Sequence, residues 1–149
     1  MFNGLFLVAA KVTQRFGGNY DYYKKYGLKG HEGIDLVPTA TYWGIHALEE
    51  GTVIVDDDDG DERNYAYGDN CRIQSDDGRI LLYAHQSENC VELGQRVKKG
   101  QLIGVMGDTG NSEGVHVHLS IYYVSPTGER LNTDNGFKGM VDPEKEAFV

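Results

Sequence analysis

Apolar and polar residues alternate over short stretches of this chain, and nearly every stretch is closed by a turn rich in glycine. A period of two marks strands that bury one face. Residues 5–16 predict a first strand ending in Val12-Thr13-Gln14-Arg15-Phe16 and broken by Gly17-Gly18. Ile34-Asp35-Leu36, Ile45-His46-Ala47 and Gly51-Thr52-Val53-Ile54-Val55 predict three more. The stretches 70–74 and 79–85 flank the turn Asp76-Asp77-Gly78 and read as a hairpin. From Val91 to Val105, apolar positions alternate with Gly94, Gly100 and Gly104, as in short strands joined by tight turns. A last strand leaves the polar loop 108–114 and runs through Val124 to the turn Ser125-Pro126-Thr127-Gly128. The tail is mostly irregular, with one short helix expected near 144–148. Residues 18–30, with Tyr20, Tyr22, Tyr23 and Tyr26 among lysines and glycines, follow neither period and read as a long loop. The predicted fold class is all-β, mainly antiparallel.

Composition narrows the picture. A chain of 149 residues suits a single domain, 1–149, with a sizeable core. The twenty glycines against three prolines fit many turns and short strands. A net charge of −9 argues against nucleic acid as a partner and against electrostatic adhesion to anionic membranes. No apolar stretch approaches the roughly 20 residues of a membrane span, so no membrane insertion is expected. The apolar start, residues 1–10, has no Lys or Arg before Lys11 and is short for a signal peptide, so it reads as strand. Cys71 alternates with Ile73 and is expected to face inward; with Cys90 it has no metal-type spacing and defines no disulfide framework. The acidic run 56–62 reads as a solvated hairpin tip, because a calcium loop centred on Gly60 would need acids where Val55 and Ala66 stand.

The chemistry gathers at three places. In Gly114-Val115-His116-Val117-His118-Leu119-Ser120, strand alternation puts both imidazoles on one face with Val117 and Leu119 buried behind them. His31-Glu32-Gly33-Ile34-Asp35 begins like the helical His-Glu-x-x-His motif, but its fifth residue is Asp35, and Gly33 and Pro38 disfavour a helix. His31 and Asp35 can still reach one ion, since Zn²⁺ accepts nitrogen and carboxylate oxygen together. His85 closes the hairpin strand Tyr83-Ala84-His85, whereas His46 lies within an apolar strand and reads as structural.

Taken in order, His31-x-x-x-Asp35, Tyr83-Ala84-His85 and His116-x-His118 resemble the motifs of the lysostaphin-type (LytM-like) zinc metallopeptidases. The connecting text is similar too: Gln14-Arg15-Phe16-Gly17, Ile45-His46-Ala47 with Gly51-Thr52-Val53, the glycine-rich run Val97 to Gly110, and Val141-Asp142-Pro143. The resemblance covers about residues 12–145. It implies a two-sheet β-sandwich or barrel-sandwich-like peptidase domain with long loops walling a groove. It makes His31, Asp35 and His118 the ligands of one Zn²⁺ per chain, and His85 and His116 the catalytic histidines. Which of the two is base and which stabilises the oxyanion is open at this level. Two departures, Val115 for a common proline and Gln86 for a common leucine, touch no ligand. Glu32, the neighbour of His31, is expected to point away from the ion.

The resemblance also implies a substrate, the peptide cross-links or stem peptides of bacterial peptidoglycan. Tyr20, Tyr22, Tyr23 and Asn111 are the expected groove residues, and action at the bacterial cell wall is the expected setting. A bare domain of this kind resembles a phage lysin, a virion-associated wall-degrading domain with other virion proteins as partners, or a mature secreted enzyme. The alternatives are a catalytically silent family member that binds wall or regulates another hydrolase, a biotinyl or lipoyl carrier read from Val91 to Gln101, and a structural zinc site. The carrier leaves the histidines unexplained, and a structural site would close its fourth position with another Cys or His.

Overall fold

A computed structural model describes residues 10–56, 67–110, 112 and 114–146. The strands are β1 (Ala10–Gln14), β2 (Ile34–Pro38), β3 (Gly44–His46), β4 (Gly51–Val55), β5 (Cys71–Ser75), β6 (Arg79–Ala84), β7 (Gln86–Asn89), β8 (Arg96–Val97), β9 (Leu102–Met106), β10 (Val117–Tyr123) and β11 (Met140–Val141). Two helices, α1 (Tyr20–Tyr23) and α2 (Pro143–Glu146), and a 3₁₀ turn at Lys24–Tyr26 complete the described elements.

The pairings are antiparallel and fall into two sheets. The larger runs β1-β2-β10-β6-β5-β4-β8, with β11 also paired to β10; the smaller runs β3-β9-β7. Neither order returns to its start, so the sheets form an open two-layer arrangement and not a closed barrel. Their inner faces share one core. Ile34, Leu36, Val53, Ile73, Leu81, Tyr83, Val117 and Leu119 of the larger sheet pack with Ile45, Ile103 and Met106 of the smaller. The alternation that predicts these strands is the alternation that fills this core.

β10 is the axis of the larger sheet. Its first half lies against β2, with Val117 opposite Leu36, His118 opposite Asp35 and Leu119 opposite Ile34. It also runs along β6, where His118 faces Ala84. The even members of β10 therefore carry His118 and Ser120 to the face opposite Val117 and Leu119.

Several expectations shift. The loop expected at 18–30 contains α1 and the 3₁₀ turn. The carbonyl of Asn19, a residue in left-handed backbone (φ 57°), accepts the amides of Tyr22 and Tyr23 at 3.1 and 3.3 Å. Asn tolerates that conformation better than most residues because its side chain is short and polar. One turn of helix is too short to register as a period. The first strand begins at Ala10 within the described residues, and the expected residues 5–9, most of the acidic run (57–62) and the last residues of the C-terminal helix (147–148) lie outside them. Cys71 is buried, Cys90 is exposed, and both are free. His46 is held by Tyr42 Oη at 2.8 Å and the Gly100 carbonyl at 2.9 Å, a structural role.

Tyr83 is fully buried, and its hydroxyl accepts the Leu48 amide at 3.1 Å. Tyr83→Phe leaves that amide without its acceptor inside the core. The expected loss is about 1–3 kcal/mol of folding stability, read as a lower urea midpoint with unchanged m-value. An unchanged midpoint would show that the bond carries no net stability.

Candidate metal centre

The register between β2 and β10 places two of the expected ligands directly across from one another. Cross-strand partners of this kind hold their Cβ atoms about 4.5–5.5 Å apart on one face. Asp35 Oδ1 lies 3.0 Å from His118 Nδ1 and 3.3 Å from His31 Nε2, and the two nitrogens are 3.0 Å apart. His31 and His118 are buried and Asp35 nearly so. Three donor atoms thus form a small triangle. A tetrahedral ion with bonds of about 2.0–2.2 Å spaces its ligands about 3.3–3.6 Å apart, so the triangle matches one face of such a polyhedron to a few tenths of an ångström. The donor set fits as well: a carboxylate has no proton to offer two imidazole nitrogens, and a shared cation satisfies all three. His31 Nδ1, on the far side of its ring, is buried without a hydrogen-bond partner among the described residues.

The local electrostatics follow from this crowding. Burial alone would raise the Asp35 carboxyl, but hydrogen bonds from His118 and His31 and their charge outweigh it and hold it far below the usual carboxylate range. Burial pushes the His118 imidazole down, and the hydrogen bond and charge of Asp35 more than reverse that.

His85 and His116 stand beside the triangle without joining it. Their rings are 4.7 Å apart, and the ring of His85 is 6.1 Å from that of His118. Both are oriented by backbone carbonyls. His85 Nδ1–H donates to Thr109 O at 2.6 Å, and His116 Nδ1–H donates to Gly114 O at 2.8 Å, with Ser112 Oγ 3.1 Å away. In each ring Nε2 is the nitrogen not taken up by a carbonyl, and His116 Nε2 lies 3.8 Å from Asp35 Oδ1. Burial, aided by the nearby His118 charge, pushes His85 down to about 4, so it is neutral at ordinary pH.

His85 sits at the corner where the chain leaves the larger sheet for the smaller. Its backbone is left-handed (φ 63°), an unusual state for a residue with a side chain. The corner is fixed by its neighbours: the amides of His85 and Gln86 donate to the carbonyls of Tyr67 and Asp69, both at 2.8 Å. The Thr109 hydroxyl completes it, accepting the Asp69 amide at 3.0 Å and donating to Gln86 O at 2.8 Å. Gly68 lets this loop approach, since a Cβ there would fall 2.4 Å from the Thr109 carbonyl carbon.

All five residues line a groove of about 890 Å³. Tyr22 and Tyr23 line it, Tyr20 does not and is exposed, and Asn111 lies outside the described residues. Glu32 also lines the groove, with a carboxylate oxygen 3.7 Å from His118 Nε2, the ring nitrogen on the side away from the triangle. Burial, with the negative Asp35 and Glu32 nearby, keeps the Tyr23 phenol well above its ordinary range, a neutral donor beside His31. Sequence reasoning missed Tyr67, Leu28 and Lys138 in the lining. Tyr26 belongs to the aromatic loop that the sequence singles out; Tyr67 and Lys138 carry no local pattern that marks them.

Residues 29–133 match the family described as Peptidase family M23. Peptidoglycan DD-endopeptidase ShyC of Vibrio cholerae is 36% identical over 92 residues, 61% of this chain and 20% of that protein. The catalytic domain of the antimicrobial peptidase lysostaphin from Staphylococcus simulans superposes with a TM-score of 0.70 at 22% identity, covering 93% of this chain and 92% of that one. The catalytic domain of the prophage-encoded M23 protein EnpA from Enterococcus faecalis, crystallised as a point mutant, superposes with a TM-score of 0.59 at 28% identity, covering 90% and 93%. The chain spans between 20% and 29% of the length of three curated relatives that it matches.

The neutral, buried His85 has a consequence for acid stability. An unfolded histidine takes up its proton near pH 6.5, whereas His85 in the folded chain does so near 4. Between those values the unfolded state binds the extra proton, so stability falls as pH drops through that window, by on the order of 3 kcal/mol when complete. His85→Asn, which tolerates the left-handed backbone, is expected to remove this loss. Urea midpoints of chelator-treated protein at pH 7 and pH 4 check it, and equal acid losses in both proteins would refute it.

Proposed function

The chain belongs to peptidase family M23, and we propose that it is a zinc-dependent endopeptidase that cuts peptide cross-links or stem peptides of bacterial peptidoglycan. The observation that carries the reading is the triangle of His31 Nε2, Asp35 Oδ1 and His118 Nδ1, flanked by two further imidazoles at the floor of a groove. When bound there, Zn²⁺ supplies Lewis acidity, which acidifies water and polarises an amide carbonyl.

The remaining work falls to the chain. Two imidazoles and one carboxylate would hold Zn²⁺ with net positive charge, the donor set of a catalytic rather than a closed structural site. His85, kept neutral, offers Nε2 to the proton that the attacking water sheds. His116, ring beside ring, completes the pair that returns a proton to the leaving amine. The carbonyls of Thr109 and Gly114 keep both Nε2 atoms turned inward, so neither ring spends orientational freedom during the reaction. Tyr22, Tyr23, Tyr26 and Tyr67 wall the groove with flat, rigid surfaces that suit a small extended peptide.

The relative named a DD-endopeptidase supports D-amino-acid cross-links as the bond class, with glycine-rich bridges the competing one. The prophage-encoded neighbour supports deployment as a phage lysin or virion-borne wall-degrading enzyme. With this setting go the bacterial cell wall as place of action and other virion proteins as partners. Among the described residues no helix is long and apolar enough to cross a membrane.

The test is release of new amino groups from purified peptidoglycan of both cross-link types. His118→Ala is expected to lose both zinc and activity. His116→Ala is expected to keep about one zinc per chain and lose activity by roughly 10²–10⁴-fold. Equal zinc loss in both variants would break the division of roles, and bound zinc without turnover in the unaltered protein would sink the enzyme reading. Lysis of intact cells by added protein tests the lysin setting separately.

A further inference from the structure

One hydrogen-bonded chain behind the triangle takes no part in the hydrolytic chemistry. His118 Nε2, the ring nitrogen turned away from Asp35, lies 2.6 Å from Ser120 Oγ, and Ser120 Oγ lies 3.2 Å from the backbone carbonyl of Glu32. Ser120 is fully buried. A carbonyl cannot donate, so the single hydroxyl proton of Ser120 goes to Glu32 O. Having given its proton to Glu32 O, Ser120 accepts from His118 Nε2–H, so a cation shared with His31 and Asp35 would displace only the hydrogen that Nδ1 holds toward Asp35.

We propose that Ser120 is a positioning residue for the metal: with the Glu32 carbonyl it forms a relay that fixes His118 in its metal-binding tautomer. The proposal rests on the metal reading above. The relay also ties the two ligand-bearing segments together, because Glu32 directly follows His31. Gly33 makes the approach possible. Its backbone φ is unremarkable, yet a Cβ there would stand 2.8 Å from both His118 Nε2 and Ser120 Oγ, and 2.3 Å from Leu119 O. Glycine is needed at this position for closeness and not for a turn. The Glu32 carboxylate, at 3.7 Å from His118 Nε2, is beyond hydrogen-bond length and does not replace the relay. The other imidazole ligand lacks such support, since His31 Nδ1 has no partner among the described residues. Groups that orient a ligating histidine typically change metal affinity 10–100-fold when removed.

The experiment uses Ser120→Ala, which removes one oxygen from the centre of β10 and adds no atom, and Glu32→Gln as its control. Zinc affinity is measured by competition with a chromogenic chelator, and the His118 Nε2–H resonance is followed by ¹⁵N-edited NMR of the zinc-loaded protein. Ser120→Ala is expected to weaken zinc binding by roughly 10–100-fold and to move the Nε2–H resonance upfield toward that of an unbonded imidazole. Glu32→Gln is expected to keep the resonance in place. Zinc binding by Ser120→Ala within about threefold of the unaltered protein, or an Nε2–H resonance moved by Glu32→Gln and not by Ser120→Ala, would overturn the relay. An unaltered protein that takes up no zinc overturns the metal reading instead. In that case the same resonance, read in metal-free protein at a pH above the histidine range, decides the relay by the presence or absence of a proton on Nε2.

Discussion

Everything at this site depends on the antiparallel register of β2 against β10. With Leu36 opposite Val117 and Ile34 opposite Leu119, apolar side chains fill the core from both strands. The intervening pair, Asp35 and His118, must then project to the other face together. A slip of β2 by one residue would drive the Asp35 carboxylate into the space now held by Leu36 and turn Leu36 outward in its place. The cost of burying an unpaired carboxylate in that core is prohibitive on the scale of a domain's net stability. The hydrophobic pattern therefore does more than hold the sheets together. It sets the separation of two ligand atoms, and His31 needs only to enter from the preceding turn to complete the triangle.

The two flanking histidines are placed by different means. Neither is paired to another side chain as rigidly as Asp35 is to His118. Each is turned by a single carbonyl, from Thr109 in one case and Gly114 in the other. Those carbonyls belong to opposite ends of the polar loop that feeds β10. One loop thereby orients both rings, although His85 and His116 are thirty-one positions apart in the chain.

Much of this was legible in the sequence, because period-two alternation reports burial directly. The alternation of Val117 and Leu119 with His118 was enough to predict which face the imidazole takes, and the order of His31, Asp35, His85 and His116 was readable as motif. What was not legible arises from contacts between distant segments. Thr109 looks like one more residue of a glycine-rich turn until its carbonyl is seen against His85. Tyr67 and Lys138 reach the groove from segments with no pattern of their own, and Tyr20 resembles Tyr22 and Tyr23 in sequence but not in position. Glu32, as the neighbour of a ligand, reads as a residue that turns outward. The bend after His31 instead brings both its carbonyl and its carboxylate toward the His118 side of the site. Gly33 reads as a helix breaker in one dimension and as a gap between two strands in three.

The corner at His85 carries a last consequence. Its two amides, those of His85 and Gln86, are moored to the carbonyls of Tyr67 and Asp69. A change in the backbone of residues 67–69 therefore pulls on a mooring one peptide unit from the His85 imidazole. Within a scaffold whose other dimensions are locked by sheet register, the segment 67–69 is a tuning screw: a shift of its two carbonyls leaves the ligand triangle in place and is felt in the angle of one ring.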